Sequence, residues 1–218
     1  MTRTGDMGFR NLDVPYHSQW ASAVHGRRIV EKQADPCDDA NWRGSGFGDP
    51  EEYRFWARRI CGLACLKSLL EFWNIGTRSH ASLLASAIAS GGYVRHADGR
   101  VDGLLYAPFA HWVEAEFGIR VQILGRHSLD ELVSSVSDRA MAIASVSSEI
   151  RYPNRSGTRR GGHLVLVTGT DDASVWIHNP SGATGTQQDV RIDRGAFQGF
   201  FANRGMVVHR PDPPTPGV

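Results

Sequence analysis

The apolar residues of this chain change their spacing near its middle. From Cys61 onward they recur at helical intervals, on a stripe formed by Cys65, Leu66, Leu69, Leu70 and Trp73. Similar patterns predict further helices at 79–90, 106–117 and 128–137. After Arg139 the apolar runs become short and rich in β-branched residues, which predicts strands at 140–146, 163–169, 174–179, 187–192 and 205–210, with one helix at about 194–203.

Helices that precede antiparallel strands predict an α+β fold, because a parallel sheet would alternate strands with helices. Residues 11–20 predict a short extended segment broken by Pro15. Residues 21–55 are polar and punctuated by Gly and Pro, which predicts a long loop or insertion. We predict a single domain over residues 1–210, followed by a Pro-rich disordered tail at 211–218.

The composition excludes several classes of protein. Of the 218 residues, 41% are hydrophobic and 22% charged, as in an ordinary soluble globular protein. A formal net charge of +1 gives no reason to expect nucleic acid or an anionic membrane as a partner. No apolar run approaches the length of a membrane span. Three cysteines are too few for a disulfide framework, so we expect a cytoplasmic protein with free thiols.

Two short motifs, CGLAC at 61–65 and GGH at 161–163, indicate thiol chemistry. A thiol attacks an acyl carbon as the thiolate, so its pKa has to fall from about 8.5. Cys61 opens a predicted helix, whose dipole favours an anion, and His163 could form a thiolate–imidazolium pair with it. The Cys61 amide is a natural oxyanion donor, and the glycine after it allows close approach. A lone cysteine is more often a buried structural residue, a role that Cys65 on the apolar stripe fits.

A metal site is the competing interpretation of these residues. The spacing of Cys37, Cys61, Cys65 and His163 matches no metal-binding module, and Cys37 is expected to be an exposed loop thiol. We therefore expect no metal and no other cofactor.

Asn179 is the candidate for a third member that orients His163. The segment from His163 to Asn179 has two apolar runs around a polar turn centred on Asp171, which predicts a hairpin. If the ladder has no bulge, His163 and Asn179 lie opposite each other, with Cβ atoms about 4.5–5.5 Å apart. A chance placement of His and Asn at such positions is common, so the spacing alone is a weak indication.

Gln19 completes a set whose chain order, Gln, Cys, His, Asn, is that of papain-like cysteine proteases. The segments VPYHSQW, CGLACLKSLL, RRGGHLVLVTGTDD and VWIHNPSG together resemble the bacteriocin-leader-processing, C-thirty-nine-like, group of cysteine peptidases. The resemblance implies a papain-like fold with Gln19 at the oxyanion position, Cys61 as nucleophile, His163 as base and Asn179 as orienter. The chain departs from the group in having Asn where Asp is more usual, and in the long separation of Gln19 from Cys61.

Three functions remain open on this basis. The first is a cysteine peptidase that cleaves a peptide or small amide through a Cys61 acyl-enzyme. The second is an acyltransferase or transpeptidase of a biosynthetic pathway, in which another nucleophile reaches the same acyl-enzyme before water does. The third is a non-catalytic papain-fold binding module, which the presence of Cys, His and Asn together argues against.

A basic segment, EIRYPNRSGTRRGG at 149–162, leads into His163. Its Gly, Pro and Ser content cannot form a core, so one interpretation is a solvated loop. The alternative is that Arg159 and Arg160 bind a substrate carboxylate or an acidic leader, because guanidinium groups pair well with carboxylates.

Overall fold

The computed structural model describes residues 11–155 and 157–211. Its α-helices in these ranges are α1 (Gly26–Val30), α2 (Pro50–Trp56), α3 (Cys61–Phe72), α4 (His80–Ala89), α5 (Tyr106–Phe117), α6 (Leu129–Ser134) and α7 (Arg194–Phe200). The strands are β1 (Val94–Arg95), β2 (Val101–Asp102), β3 (Val121–Leu124), β4 (Ala140–Ser147), β5 (Gly162–Thr170), β6 (Ser174–His178), β7 (Val190–Asp193) and β8 (Phe201–His209). Five of these seven α-helices precede β3, the first strand of the antiparallel main sheet, which confirms the predicted α+β class.

The helix ends follow the local signals in the sequence. Ser79 caps α4 by accepting a hydrogen bond from the Ser82 amide, and Ser128 with Glu131 forms the predicted capping box of α6. Helix α5 ends at Gly118, whose φ of 66° lies in the left-handed region that glycine adopts at low cost. These caps explain why α4, α5 and α6 lie close to their predicted positions.

The main sheet is antiparallel throughout and has the strand order β3-β8-β4-β5-β6-β7. Side chains of β5 alternate between its two faces: Leu164 and Leu166 join the core with the helices, whereas Val165 and Val167 join a second core. Every residue of β4 is buried. The sheet therefore carries an apolar layer on each face, and α3 packs against β5 in the first of them.

The expectation of a long loop at 21–55 is wrong in part. The segment contains α1, most of α2 and short 3₁₀ turns, and it buries Ile29, Trp42 and Tyr53. Helices α1 and α2 each bury only one or two large apolar side chains, which is too few to give a periodic signal. Such helices are stabilised by tertiary packing, which the polar composition of the segment conceals.

Some sequence expectations lie outside the described residues, namely those on 1–10 and on the tail from residue 212. Within the described ranges, no helix has the length and apolar character that crossing a membrane requires.

Candidate active site

Cys61 is the first residue of α3, as predicted, and its side chain is partly exposed. It lines a cavity of about 350 Å³ together with His163, and the two belong to elements that pack against each other, α3 and β5. The helix start leaves the first backbone N–H groups without an intrahelical acceptor. The backbone N–H groups of Gly62, at the helix start, and of Leu164, on β5, interact with the Cys61 thiol, so both elements offer donors to a developing thiolate.

Gly62 permits the close approach that the sequence suggested. A Cβ atom at this position would lie 2.6 Å from Cδ2 of Leu104 and 2.8 Å from Cδ1 of Leu164. These two leucines also line the cavity. The glycine therefore lets them pack beside the nucleophile candidate.

The two glycines before His163 have a backbone that other residues rarely adopt. Gly161 and Gly162 have φ values of 78° and 92°. A Cβ atom on Gly161 would lie 2.7 Å from a terminal guanidinium nitrogen of Arg204. The GGH motif thus turns the chain into β5 and leaves room for an arginine at the cavity.

His163 and Asn179 are in contact, with Nε2 of the ring 2.8 Å from Oδ1 of the amide. Both are buried, at 4% and 0% exposure. The register between β5 and β6, the strands that bring these residues together, differs from the predicted one. Leu166 pairs with His178, and the register shifts by one residue between Val167 and Gly169.

The assumption of an unbulged ladder centred on Asp171 was therefore wrong. The Asp171 carboxylate accepts hydrogen bonds from the amides of Ala173 and Ser174, which moves the turn toward the later residues. Extending the observed register by one residue sets Asn179 opposite Val165, so His163 is its diagonal neighbour. Long side chains can meet across a diagonal.

The contact assigns the proton of the neutral His163 ring. Oδ1 of Asn179 can only accept a hydrogen bond, so the proton resides on Nε2 and the lone pair on Nδ1. The Ser181 amide also points at Oδ1 of Asn179, at 3.2 Å, which supports this orientation of the side-chain amide. Nδ2 of Asn179 is buried with no partner among the described residues.

Ser181 and Arg151 complete this arrangement. The sequence analysis did not single out Ser181, and it considered Arg151 only as part of the basic segment at 149–162. Oγ of Ser181 lies 3.1 Å from Nε2 of His163 and accepts a hydrogen bond of 2.7 Å from Nε of Arg151. Ser181 stands in the same NPSG segment as Asn179, so the motif contained the signal. Arg151 precedes the strand by eleven residues, and nothing in its neighbourhood distinguishes it from other loop arginines.

The electrostatics differ from the expected thiolate–imidazolium pair. Burial raises the pKa of the Cys61 thiol, and the Leu164 and Gly62 amides and the Arg151 charge lower it by less. Burial, followed by the charge of Arg151, lowers the pKa of His163 to about 3, although the contact with Asn179 favours the imidazolium. Both shifts favour the neutral form of the residue at neutral pH.

Gln19 lies beside the site, with 2% exposure. Its backbone amide donates to the carbonyl of Pro180, next to Asn179, and its Nε2 donates to the carbonyl of Ala57, four residues before Cys61. Gln19 is not one of the residues that line the Cys61 cavity. Its oxyanion role stays a prediction.

Arg159 and Arg160 do not line the Cys61 cavity either. The amide of Arg159 donates to the Glu149 carboxylate, and the guanidinium of Arg160 donates to Asn203. Arg160 instead lines a neighbouring cavity that it shares with Arg126 and Arg204. The arginines at the thiol are different ones, Arg58, Arg59, Arg151 and Arg204.

All three cysteines are free, and Cys65 is buried in the core as expected. Within residues 11–155 and 157–211, no group of three or more His, Cys, Asp or Glu side chains is arranged to hold a metal ion.

A helix that begins at a cysteine and packs on a strand bearing a histidine, in an α+β fold, defines the papain-like class. The family model described as Peptidase_C39 like family matches residues 11–208. The chain belongs to this family, and its function is cysteine peptidase-like.

Two solved structures resemble this chain, and the first has the same fold. The crystal structure of a C39-like peptidase from Bacillus anthracis aligns with a TM-score of 0.50 at 15% identity, covering 69% of this chain and 88% of that one. The peptidase domain of Streptococcus ComA, a bifunctional ABC transporter of a quorum-sensing pathway, aligns with a TM-score of 0.46 at 14% identity, covering 71% and 93%. No curated protein sequence matches this chain.

Proposed function

We propose that this protein is a cysteine peptidase that cleaves a peptide or amide bond through an acyl-enzyme on Cys61. His163 acts as the base and Asn179 holds its ring. The observation that carries the proposal is the 2.8 Å contact between His163 Nε2 and Asn179 Oδ1, beside a cavity that Cys61 and His163 share. A cysteine at a helix start has many structural explanations, but an oriented histidine at the same cavity has few.

The protonation states suggest how the reaction begins. Because burial favours a neutral thiol and a neutral imidazole, the proton moves from Sγ to Nδ1 as Sγ attacks the carbonyl carbon. The imidazolium that forms keeps its Nε2 proton on Oδ1 of Asn179. It then gives the Nδ1 proton to the leaving amine, and water hydrolyses the thioester.

The oxyanion would be stabilised at the start of α3. The Cys61 amide lies at the first helical position, where no intrahelical acceptor exists. Gln19 is the second candidate donor, because only one of the two hydrogens on its Nε2 is needed for the bond to Ala57. Movement of the Gln19 side chain toward the cavity would be part of substrate binding.

The test uses a library of peptide chloromethyl ketones, with the modified residue located by mass spectrometry. We expect a single adduct on Cys61, its loss in Cys61→Ala, and a rate at least about a hundredfold lower in His163→Ala, because the base contributes roughly 10²–10⁴-fold. Cys37→Ala removes a thiol outside the cavity and is the matched control. An adduct formed first on Cys37 would contradict the proposal.

Turnover products then define the reaction. A peptide found with the library is incubated with the enzyme, with and without an added amine. Release of the free acid supports hydrolysis, whereas amide formation that dominates at low amine concentration would reassign the enzyme as an acyltransferase.

A further inference from the structure

The cavity at Cys61 is unusual in the charges that line it. Its charged lining residues are Arg58, Arg59, Arg151 and Arg204, and no Asp or Glu side chain lines it. The whole chain is nearly neutral, with a formal net charge of +1. The positive charge is thus concentrated at the candidate nucleophile and does not reflect the composition of the protein.

These four arginines lack the carboxylate partners that arginines have elsewhere in the described chain. Arg54 pairs with Asp35, Arg100 with Asp102 and Arg194 with Asp130. None of the four cavity arginines makes such an ion pair among residues 11–155 and 157–211. Their partners are neutral groups: the carbonyls of Ile29 and Phe55, and the hydroxyls of Ser181 and Ser145.

Two of these four arginines, Arg59 and Arg151, are partly buried, whereas Arg58 and Arg204 are exposed. Burial, and then the charges of Arg58 and Arg95, lower the pKa of Arg59. Burial also lowers the pKa of Arg151. An anion placed among four cations that have no carboxylate partner would lower their mutual repulsion. Local features that oppose stability in this way are typical of binding sites.

The size of the cavity limits what the anion can be. At about 350 Å³ it is near the lower end of the range for small-molecule sites, enough for one or two amino-acid side chains. Leu104 and Leu164 supply an apolar wall next to the arginines. A carboxylate on a short aliphatic stem satisfies both parts of this lining, since guanidinium groups bind carboxylates with paired hydrogen bonds.

We propose that the substrate carries a carboxylate close to the scissile carbonyl, and that Arg58, Arg59 and Arg204 bind it in the Cys61 cavity. The inference rests on the proposed peptidase function and specifies its substrate class, an acidic peptide or amide. Arg151 lines the same cavity, but its Nε already donates a hydrogen bond to Ser181, the residue that contacts the His163 ring. The specificity is therefore carried by the other three arginines.

The first test compares two small reagents at one thiol. Iodoacetate carries a carboxylate, and iodoacetamide is its neutral counterpart of similar size. We divide the iodoacetate rate at Cys61 by the iodoacetamide rate, and then divide this ratio by the same ratio for N-acetylcysteine. The normalisation cancels the intrinsic difference between the two reagents and leaves the effect of the charges around Cys61. At pH 8 and low salt we expect this normalised ratio to be about ten, and to fall toward one in roughly 0.5 M salt.

The variants identify the source of the charge. The double variant Arg58→Gln/Arg59→Gln and the single variant Arg204→Gln are each expected to lower the ratio by about threefold or more. Arg210→Gln removes an exposed arginine that lines a different cavity, with Arg120 and Arg139, and leaves the ratio unchanged. If Arg159→Gln/Arg160→Gln lowers the ratio and the cavity variants do not, the loop binds the anion and the inference is overturned.

Failure of the inference and failure of the function are distinguishable. If neither reagent modifies Cys61, the proposed peptidase function falls and the inference falls with it. If both modify Cys61 with a normalised ratio near one, only the inference is overturned.

Two further pairs of probes establish whether the substrate carboxylate is on a side chain or at the terminus. Chloromethyl ketone peptides with Glu or Gln next to the ketone test a side-chain carboxylate, and small chloroacetyl amino acids with a free or amidated terminus test a terminal one. We expect one of the two acidic probes to inactivate Cys61 about tenfold faster than its neutral counterpart. Equal rates for both pairs would overturn the inference.

Discussion

Nε of Arg151 donates a hydrogen bond of 2.7 Å to Oγ of Ser181, and this bond links the segment between β4 and β5 to the turn after β6. The same hydroxyl oxygen is 3.1 Å from Nε2 of His163. The Ser181 hydroxyl therefore lies between the Arg151 guanidinium and the ring of His163, the candidate base. The bond explains why the Arg151 charge lowers the pKa of His163.

Ser181→Ala tests this link. The substitution leaves Nε of the half-buried Arg151 without its acceptor and removes one contact of the His163 ring. Hydrogen bonds to charged groups contribute roughly 1.5–3 kcal/mol, so we expect kcat/KM to fall by about tenfold, with Ser181→Thr restoring part of it. The acid limb of the pH profile should shift as Arg151 moves. A variant with lowered thermal stability and an unchanged pH profile would indicate a structural role alone.

Asn179 is expected to orient the base without titrating. Asn179→Ala removes the acceptor at Nε2 and should reduce kcat/KM by about ten- to a hundredfold without abolishing it, because one hydrogen bond to a buried group is lost. Full activity in this variant would mean that Ser181 alone holds the ring.

Asn179→Asp should shift the pH profile in a defined direction. A carboxylate stabilises the imidazolium and raises the pKa of His163 from about 3. The base is then protonated at a higher pH, so the acid limb of kcat/KM moves upward while activity at neutral pH is retained. An acid limb that stays in place would show that residue 179 does not contact the base during the reaction.

The reactivity of Cys61 should report a neutral resting pair. Because burial raises the thiol pKa, the rate of iodoacetamide modification should rise continuously with pH above about pH 8, where thiols begin to ionise. A thiolate–imidazolium pair would give a plateau between roughly pH 5 and 7 instead. The measurement is the rate of Cys61 labelling across this range, in a Cys37→Ala background.

His80 should make the fold sensitive to acid. Burial, then the charges of Lys67 and His17, lower its pKa to about 3, whereas an unfolded histidine titrates near 6.5. Between these values the unfolded state binds the extra proton, so the free energy of unfolding falls as the pH drops from about 6.5 toward 3. His80→Gln should reduce this slope by up to about 1.4 kcal/mol per pH unit, measured by urea denaturation.

The matched control for His80 is His111→Gln, which replaces an exposed histidine on α5. A slope that both variants reduce equally would contradict the assignment to His80.

Gly182 should be essential to the turn that holds Asn179 and Ser181. A Cβ atom there would overlap the backbone carbonyl of Thr186 and lie 2.6 Å from Cα of Gln187. Since backbone atoms cannot step aside as a side chain can, Gly182→Ala should cost about 2 kcal/mol or more in the free energy of unfolding, at the upper part of the range for overpacking. It should also slow modification of Cys61 by peptide ketones.

Gly44→Ala is the control, because a Cβ atom at that position would have no other atom within 4 Å among the described residues. Equal stability of the two variants in a denaturant series would show that the turn adapts.

Local signals in the sequence determined most of the regular structure. The apolar stripe from Cys61 and the Ser128–Glu131 capping box are read from neighbours within one or two helical turns. The same holds for the β-branched runs that became β4 and β5. The motifs also made Cys61, His163 and Asn179 candidates, because the residue types that thiol chemistry needs stand out in CGLAC, GGH and HNPSG.

Only the tertiary structure decided how these residues meet and what surrounds them. The bulge between Val167 and Gly169 changed the partner of Asn179, and register depends on contacts between strands that no single strand encodes. Ser181 and Arg151 are thirty residues apart, and the cavity arginines come from α2–α3, the β4–β5 segment and β8. Burial raised the Cys61 pKa against the effect of the helix start, because the desolvation of a thiol depends on every element packed around it.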